Sequence, residues 1–221
     1  MYVWDFDMVW RNKMVFVEGG WLTVQITALS IVFGTVGGSI LGLGRASKSL
    51  WVRLPVSGFV ELFLALPVLV ILVWVYYCAP LLLGISLSGF WTAVVVLSFS
   101  LSAFVAEIVR AGLLAVPKGQ VEAARVLGMT KSQALMRVTV PQALRVIIPP
   151  LLGMYISTLK LSSLASFIAV YELLHSAQNL IMNSYRPLEV YTTVAFVYLI
   201  LILPLALITR HLEAAKWWRM S

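Results

Sequence analysis

Charge is what this 221-residue sequence has least of: Asp, Glu, Lys and Arg make up 11% of it, against 61% hydrophobic residues. So few polar side chains cannot coat a water-soluble domain of this size, which excludes that class. Cysteine is nearly missing. Cys78 stands alone, so no intramolecular disulfide can form, and its expected role is that of a small apolar filler. Histidine is scarce too, and the two present, His175 and His211, fall on opposite sides of the membrane in the topology derived below, so they cannot share a metal. The sequence also has no Gly-x-x-x-x-Gly-Lys-Ser/Thr, no His-Glu-x-x-His, no Gly-x-Ser-x-Gly and no paired carboxylates at helical spacing in a span. These gaps speak against ATP use by the chain itself and against a membrane-embedded hydrolase.

Long uncharged runs are abundant. Leu62 to Ala106 gives 45 residues without Asp, Glu, Lys or Arg, about 67 Å of helix, or two crossings of a hydrocarbon layer about 30 Å thick. Pro80, Gly84 and Gly89 supply the turn. The same test yields five spans, at roughly 21–43, 57–79, 89–110, 145–166 and 189–209. The expected fold class is an all-α membrane protein of five transmembrane helices, read as one permease-like domain over 1–221 because no linker, low-complexity tract or repeat divides it. The first apolar run follows Asp5, Asp7, Arg11, Lys13 and Glu18 and is too long for a signal-peptide core, so it is expected to stay as an anchor.

Lys and Arg orient the bundle, because cytoplasmic loops retain positive charge. With the N-terminus outside, twelve of them fall on the cytoplasmic side (Arg45, Lys48, Arg53, Arg110, Lys118, Arg125, Lys131, Arg137, Arg145, Arg210, Lys216, Arg219) and three outside (Arg11, Lys13, Arg186). The net charge of +7 is then topology and calls for no nucleic acid. Trp74, Tyr76, Tyr77 and Trp91 are expected as an outer aromatic belt and Trp217 and Trp218 as an inner one. Gly34, Gly38 and Gly42 form a smooth stripe read as internal helix packing.

Residues 111–145 hold five Lys or Arg and one acid, too polar to cross the membrane. The spacing predicts a helix starting after Pro117 and stopping at Gly128, which suits a left-handed cap. Thr130 to Gln133 has capping-box spacing for a second helix running to Pro141. On the first helix Ala123, Ala124 and Leu127 are small or apolar beside Glu122 and Arg125, a surface that another protein can approach closely. The alternative is an amphipathic helix lying on lipid headgroups.

The loop contains Glu122-Ala123-Ala124, then Gly128 after three residues and Val138-Thr139-Val140-Pro141 after nine more. This resembles the EAA loop of ABC importer permeases. From about 19 to 215 the chain is similar to the five-span permease subunits of bacterial polar amino acid ABC importers, the histidine, glutamine and arginine class with the type I importer fold. The matching pieces are Val60-Glu61-Leu62-Phe63 with Pro67, Ala106-Glu107-Ile108-Val109-Arg110-Ala111-Gly112, Val116-Pro117-Lys118-Gly119-Gln120, Pro141-Gln142-Ala143-Leu144-Arg145, Leu159-Lys160, Ser163-Leu164 and Arg186-Pro187.

The resemblance implies a coupling helix, built from Glu122, Ala123, Ala124, Arg125, Leu127 and Gly128, that seats in a cleft of an ATPase. It implies two ATP-binding cassette subunits holding ATP and Mg while this chain holds no cofactor, a second permease subunit, an extracytoplasmic solute-binding protein, and a place in the bacterial cytoplasmic (inner) membrane. The work done is import of an amino acid or a similar small solute. A stand-alone secondary transporter or a membrane enzyme is the alternative, but the first would need more spans or an internal repeat and the second a catalytic cluster.

Ionisable groups inside a bilayer mark candidate sites. Lys160 has fourteen uncharged residues before it and eleven after, so with Ser162 and Ser163 it is a candidate for the substrate pathway, together with Ser100 and Glu61. Glu61 and Glu107 sit near inner ends of spans, where Glu107 can pair with Arg110 at i+3 and water is within reach. Residues 167–181 are expected to return toward the outer surface, carrying Glu172, Gln178, Asn179 and a solvated His175 where a binding protein could meet them. Relatives usually carry Arg-Gly-Thr where this chain has Leu64-Ala65-Leu66, Lys-Asp-Thr-Ser where it has Lys160-Leu161-Ser162-Ser163, and Asn at Ser100. Each change removes a group that could hold a zwitterion. The resemblance thus implies a heterodimer whose other permease supplies most ligand contacts, or else a homodimer with a less polar ligand.

Overall fold

A computed structural model describes residues 2–214, with side chains to residue 212; Lys216, Trp217, Trp218 and Arg219 lie outside the described residues. The described residues form helices joined by short turns, with no strand among them. After the short α1 (Asp7–Arg11), α2 (Lys13–Arg45) supplies the first span. Then come α3 (Leu50–Ala65), α4 (Val68–Val73) and α5 (Ala79–Leu83), the last two joined by a wide π turn at Trp74–Cys78. α6 (Gly89–Leu114) is the next span, α7 (Lys118–Val126) and α8 (Lys131–Ala134) make the polar loop, and α9 (Val140–Leu161) follows. A 3₁₀ turn at Ser162–Ile168 leads to α10 (Leu173–Ser184) and the last span, α11 (Pro187–Ala214). Four helices are long and apolar enough to cross a membrane, or five spans if the bent pair α3 and α4–α5 counts as one.

That bent pair corrects the expectation of a straight helix over 57–79. Leu50–Ala65 and Val68–Leu83 meet at 103°. Leu66 is extended, with ψ 136°, because the ring of Pro67 clashes with a helical residue before it, and Pro67 itself offers no N–H to continue the ladder. The expected stop at Pro141 is also corrected. The helix that starts at Lys131 runs on to Ile168, passing Pro141 just after a π turn at Leu135–Thr139. This wider turn takes up the residue that cannot donate to its i−4 carbonyl.

α6 is the centre of the bundle. Ala93, Val94, Val96, Leu97, Leu101, Ala103, Val105 and Ala106 are each 2% exposed or less. α2 lies on it in parallel and very close. A Cβ on Gly34 would sit 2.9 Å from Leu101, one on Gly38 2.5 Å from Val105 and one on Gly42 2.8 Å from Val109, so the stripe serves internal packing and a methyl at any of the three would push the helices apart. α11 by contrast shows most of its apolar side chains at the surface, as a lipid-facing helix does.

The end where α2, α6 and α11 start and α9 stops is here termed the upper end. There Phe16 packs with Leu173, Ala177, Val190 and Val194. Trp74, Tyr77 and Trp91 are exposed as expected of a belt, whereas Tyr76 packs against the main core cluster and against Tyr77. Gly89 nearby leaves room for Val170: a Cβ there would sit 2.9 Å from the Val170 side chain and 3.2 Å from the Ile168 carbonyl.

Candidate functional site

α7 is set by its ends. Pro117 precedes it in an extended conformation, with φ fixed near the helical value and no N–H to leave unpaired. At the far end Gly128 takes φ +85°, donates to the Arg125 carbonyl at 3.0 Å, and lets Met129 donate to the Ala124 carbonyl at 3.1 Å. This is the double bond of a Schellman cap, which a residue with a Cβ would strain. Thr130 and Gln133 then close a reciprocal capping box that opens α8. Gln142 donates to Gln120 and ties the start of α7 to α9.

Of the residues expected to dock a partner, Glu122, Ala123, Arg125, Leu127 and Gly128 are exposed. Ala124 is not. It is 5% exposed and belongs to the face α7 turns toward α8 and the π turn, so its small side chain serves the loop's own packing. Val126, which sequence reasoning passed over, is 87% exposed beside Leu127 at 81%. Two uncovered aliphatic side chains at the end of a charged helix are a feature of contact surfaces. A cleft of about 360 Å³ between α7 and the end of α6 is lined by Leu113, Leu114, Val116, Val121, Glu122 and Arg125 among others.

The five candidates for the substrate pathway are not brought together. Glu61 stands at the lower end, 3.5 Å from Arg45 Nη2. Arg45 Nη1 is 2.7 Å from Glu107, which also meets Arg110 at 3.2 Å. The expected i+3 pair is therefore present, and Arg45 is the partner that sequence spacing did not reveal. Ser100 is buried at 3% exposure on α6 with its hydroxyl unpartnered, and Ser162 is fully buried with its hydroxyl donating to the Leu159 carbonyl at 2.7 Å. Neither lines an open path. Ser163 donates to the Lys160 carbonyl at 2.8 Å. Lys160 is exposed, and its ammonium has no hydrogen-bond or ion-pair partner among the described residues.

Two buried acids were not foreseen as such. Glu172 was expected at the outer surface and is instead fully buried. It caps α10 by accepting the His175 N–H at 2.9 Å, and Tyr198 donates to it at 3.1 Å. Thr23 of α2 lies 3.3 Å from the same carboxylate and accepts the Leu173 N–H at 3.1 Å. Burial pushes this carboxyl above its ordinary range against the pull of those hydrogen bonds. Glu189 is likewise fully buried, with Tyr2 donating to it at 2.5 Å, the Asp5 N–H at 3.0 Å and Arg186 at 3.3 Å. The chain before α1 is thereby strapped to the start of α11. His175, expected as a solvated residue, is half-buried with an unpartnered Nδ1 and lies edge-on to Tyr171 at 4.9 Å.

Comparison with known proteins places this geometry. Over its length the chain is similar to the L-cystine transport system permease protein TcyB of Bacillus subtilis, at 38% identity over 209 residues, 94% of this chain and 89% of that protein. It is 34% identical to the octopine transport system permease protein OccM of Rhizobium radiobacter over 221 residues, covering 96% and 90%. With the glutamine transport system permease protein GlnP of Escherichia coli it shares 32% over 211 residues, covering 95% and 96%. A solved amino acid ABC transporter with histidines superposes with a TM-score of 0.89 at 32% identity, over 96% of this chain and 99% of that one. The MetNI methionine ABC transporter in inward-facing form gives 0.73 at 25% identity, over 96% and 99%. The model of the binding-protein-dependent transport system inner membrane component matches residues 34–217, and the chain belongs to that family of ABC importer permease subunits.

Proposed function

We propose that this chain is the permease half of an importer for an amino acid or amino-acid-like solute, set in the bacterial inner membrane with its N-terminus outside. The observation that carries the reading is α7: a capped, exposed helix with Glu122, Arg125, Val126 and Leu127 uncovered at the lower end, where the Lys and Arg residues of the polar loop gather. Named relatives carry cystine, octopine and glutamine, which supports a polar amino acid or a derivative as the cargo. ATP and Mg belong to the two ATPase subunits, one of which α7 contacts, and a binding protein delivers the solute at the upper end.

The partner permease is a different chain. Lys160 offers one unpaired cation to the pathway, Ser162 is buried, and Leu64 and Leu66 present apolar surface where the bend opens α3 from α4. Two such copies would give a zwitterion little to bind, and an unmet charge inside the membrane costs several kcal/mol.

Extraction in mild detergent with an affinity tag on this chain tests the assignment. An ATPase should co-purify, and Glu122→Lys or Gly128→Leu should release it while the chain stays inserted. A chain that purifies without an ATPase in its wild-type form would end the importer reading.

A further inference from the structure

Between the start of α2 and α10, at the upper end, lies a polar cleft of about 360 Å³ whose lining includes Asn12, Glu18, Tyr171, Ser176, Asn179 and Asn183. Each amide in the lining spends one N–H, and Ser176 its hydroxyl, on nearby backbone. Asn12 donates to the Met8 carbonyl at 2.8 Å, Asn179 to His175 at 3.1 Å, Asn183 to Asn179 at 3.0 Å, and Ser176 to Tyr171 at 2.9 Å. One N–H of each amide is thus spent on backbone of its own segment, while the second N–H and the Oδ1 of each stay open to a ligand. Glu18 is exposed and has no hydrogen-bond or ion-pair partner among the described residues. The neighbouring Lys13 is held over the Trp10 ring at 4.7 Å, and Arg11 does not line the cleft.

Glu18 is the one charged residue among those lining the cleft, so its carboxylate disfavours anions and, with the amide oxygens beside it, suits a cationic group rich in N–H donors. Its surroundings say what carries that group. Tyr171, which lines the cleft, is 64% exposed, and a large, uncovered aromatic side chain beside a polar notch anchors protein partners. A free cationic solute would leave it bare. We propose that this cleft receives a lysine or arginine side chain of the extracytoplasmic binding protein, with Glu18 as the countercharge; the proposal rests on the importer reading above.

The test uses the assembled importer in lipid nanodiscs and its binding protein, with ATPase stimulation as the readout. Glu18→Gln should raise the binding-protein concentration for half-maximal stimulation about tenfold, and Asn179→Leu about threefold, with basal ATPase activity unchanged. Glu18→Lys should weaken docking further and be rescued by one Lys→Glu or Arg→Glu change on the binding protein. Unchanged half-maximal concentrations in a complex whose wild type responds would overturn this proposal and leave the importer reading intact. A Glu18→Lys effect that persists without binding protein, or that follows the phosphatidylethanolamine content of the disc, would assign the cleft to a lipid headgroup and overturn it as well. A wild-type complex that no binding protein stimulates would overturn both.

Discussion

Arg45, the last residue of α2, donates to Glu107 of α6 at 2.7 Å across 62 positions of sequence. Glu61 of α3 lies 3.5 Å from the same guanidinium, so three helices converge on one side chain at the lower end. Arg45 is 12% exposed in its side chain, Glu107 43% and Glu61 69%, which ranks the contacts: burial strengthens the first pair, while solvent screens the second. Arg45→Met keeps the stem packed and removes the charge. It should cost about 1–2 kcal/mol, whereas Glu61→Gln should cost less than about 0.5 kcal/mol. Thermal denaturation of the detergent-solubilised protein checks the order, and equal losses would refute it.

Much of this was legible in the sequence, for physical reasons that also mark where legibility ends. Uncharged length fixes spans, so the four long helices stand close to their expected positions. Cap chemistry is local, so Gly128 and the Thr130–Gln133 box were readable within a few residues. The 103° bend was not, although Pro67 was noted, because a proline kinks, breaks or is tolerated in a membrane helix according to its neighbours. Long-range partners were illegible too. Nothing in the local pattern around Glu172 says that Thr23 and Tyr198 will enclose it, and a candidate pathway built from Ser100 and Ser162 ignored which helix face each would present.

Orientation is testable through positions the structure shows to be accessible. Val3 is 74% exposed beside the upper end, and Ser132 is exposed on α8. In a Cys78→Ala background, a membrane-impermeant thiol reagent on intact cells should label Val3→Cys and spare Ser132→Cys, following the distribution of Lys and Arg. The reverse pattern would invert every loop.

Glu172 gives the upper end a pH dependence with a defined sign. Its folded-state carboxyl is held above the ordinary value of 4.5 by burial, so the folded protein binds its proton more tightly than the unfolded chain does. That contribution is full below 4.5 and is lost as pH rises through the raised folded value. Glu172→Gln stays uncharged throughout. Melting curves from pH 4 to about pH 8 should therefore fall more steeply in the wild type than in this variant, and parallel slopes would show that the carboxyl is not the titrating group.

Lys160 separates the two ways of building the dimer. It is exposed near the top of α9 and its ammonium has no partner among the described residues, so uptake measurements decide whether that charge serves the pathway or reaches the outer interface. If the other permease supplies most ligand contacts, Lys160→Ala should slow uptake by less than about tenfold, while removal of one charged contact in the partner should abolish it. In a homodimer the same substitution would delete two cations at once from a pathway with few other polar groups, and uptake should vanish. Transport assays on reconstituted vesicles distinguish the cases. Complete loss with Lys160→Ala, in a complex that still shows binding-protein-stimulated ATPase activity, would count against the heterodimer.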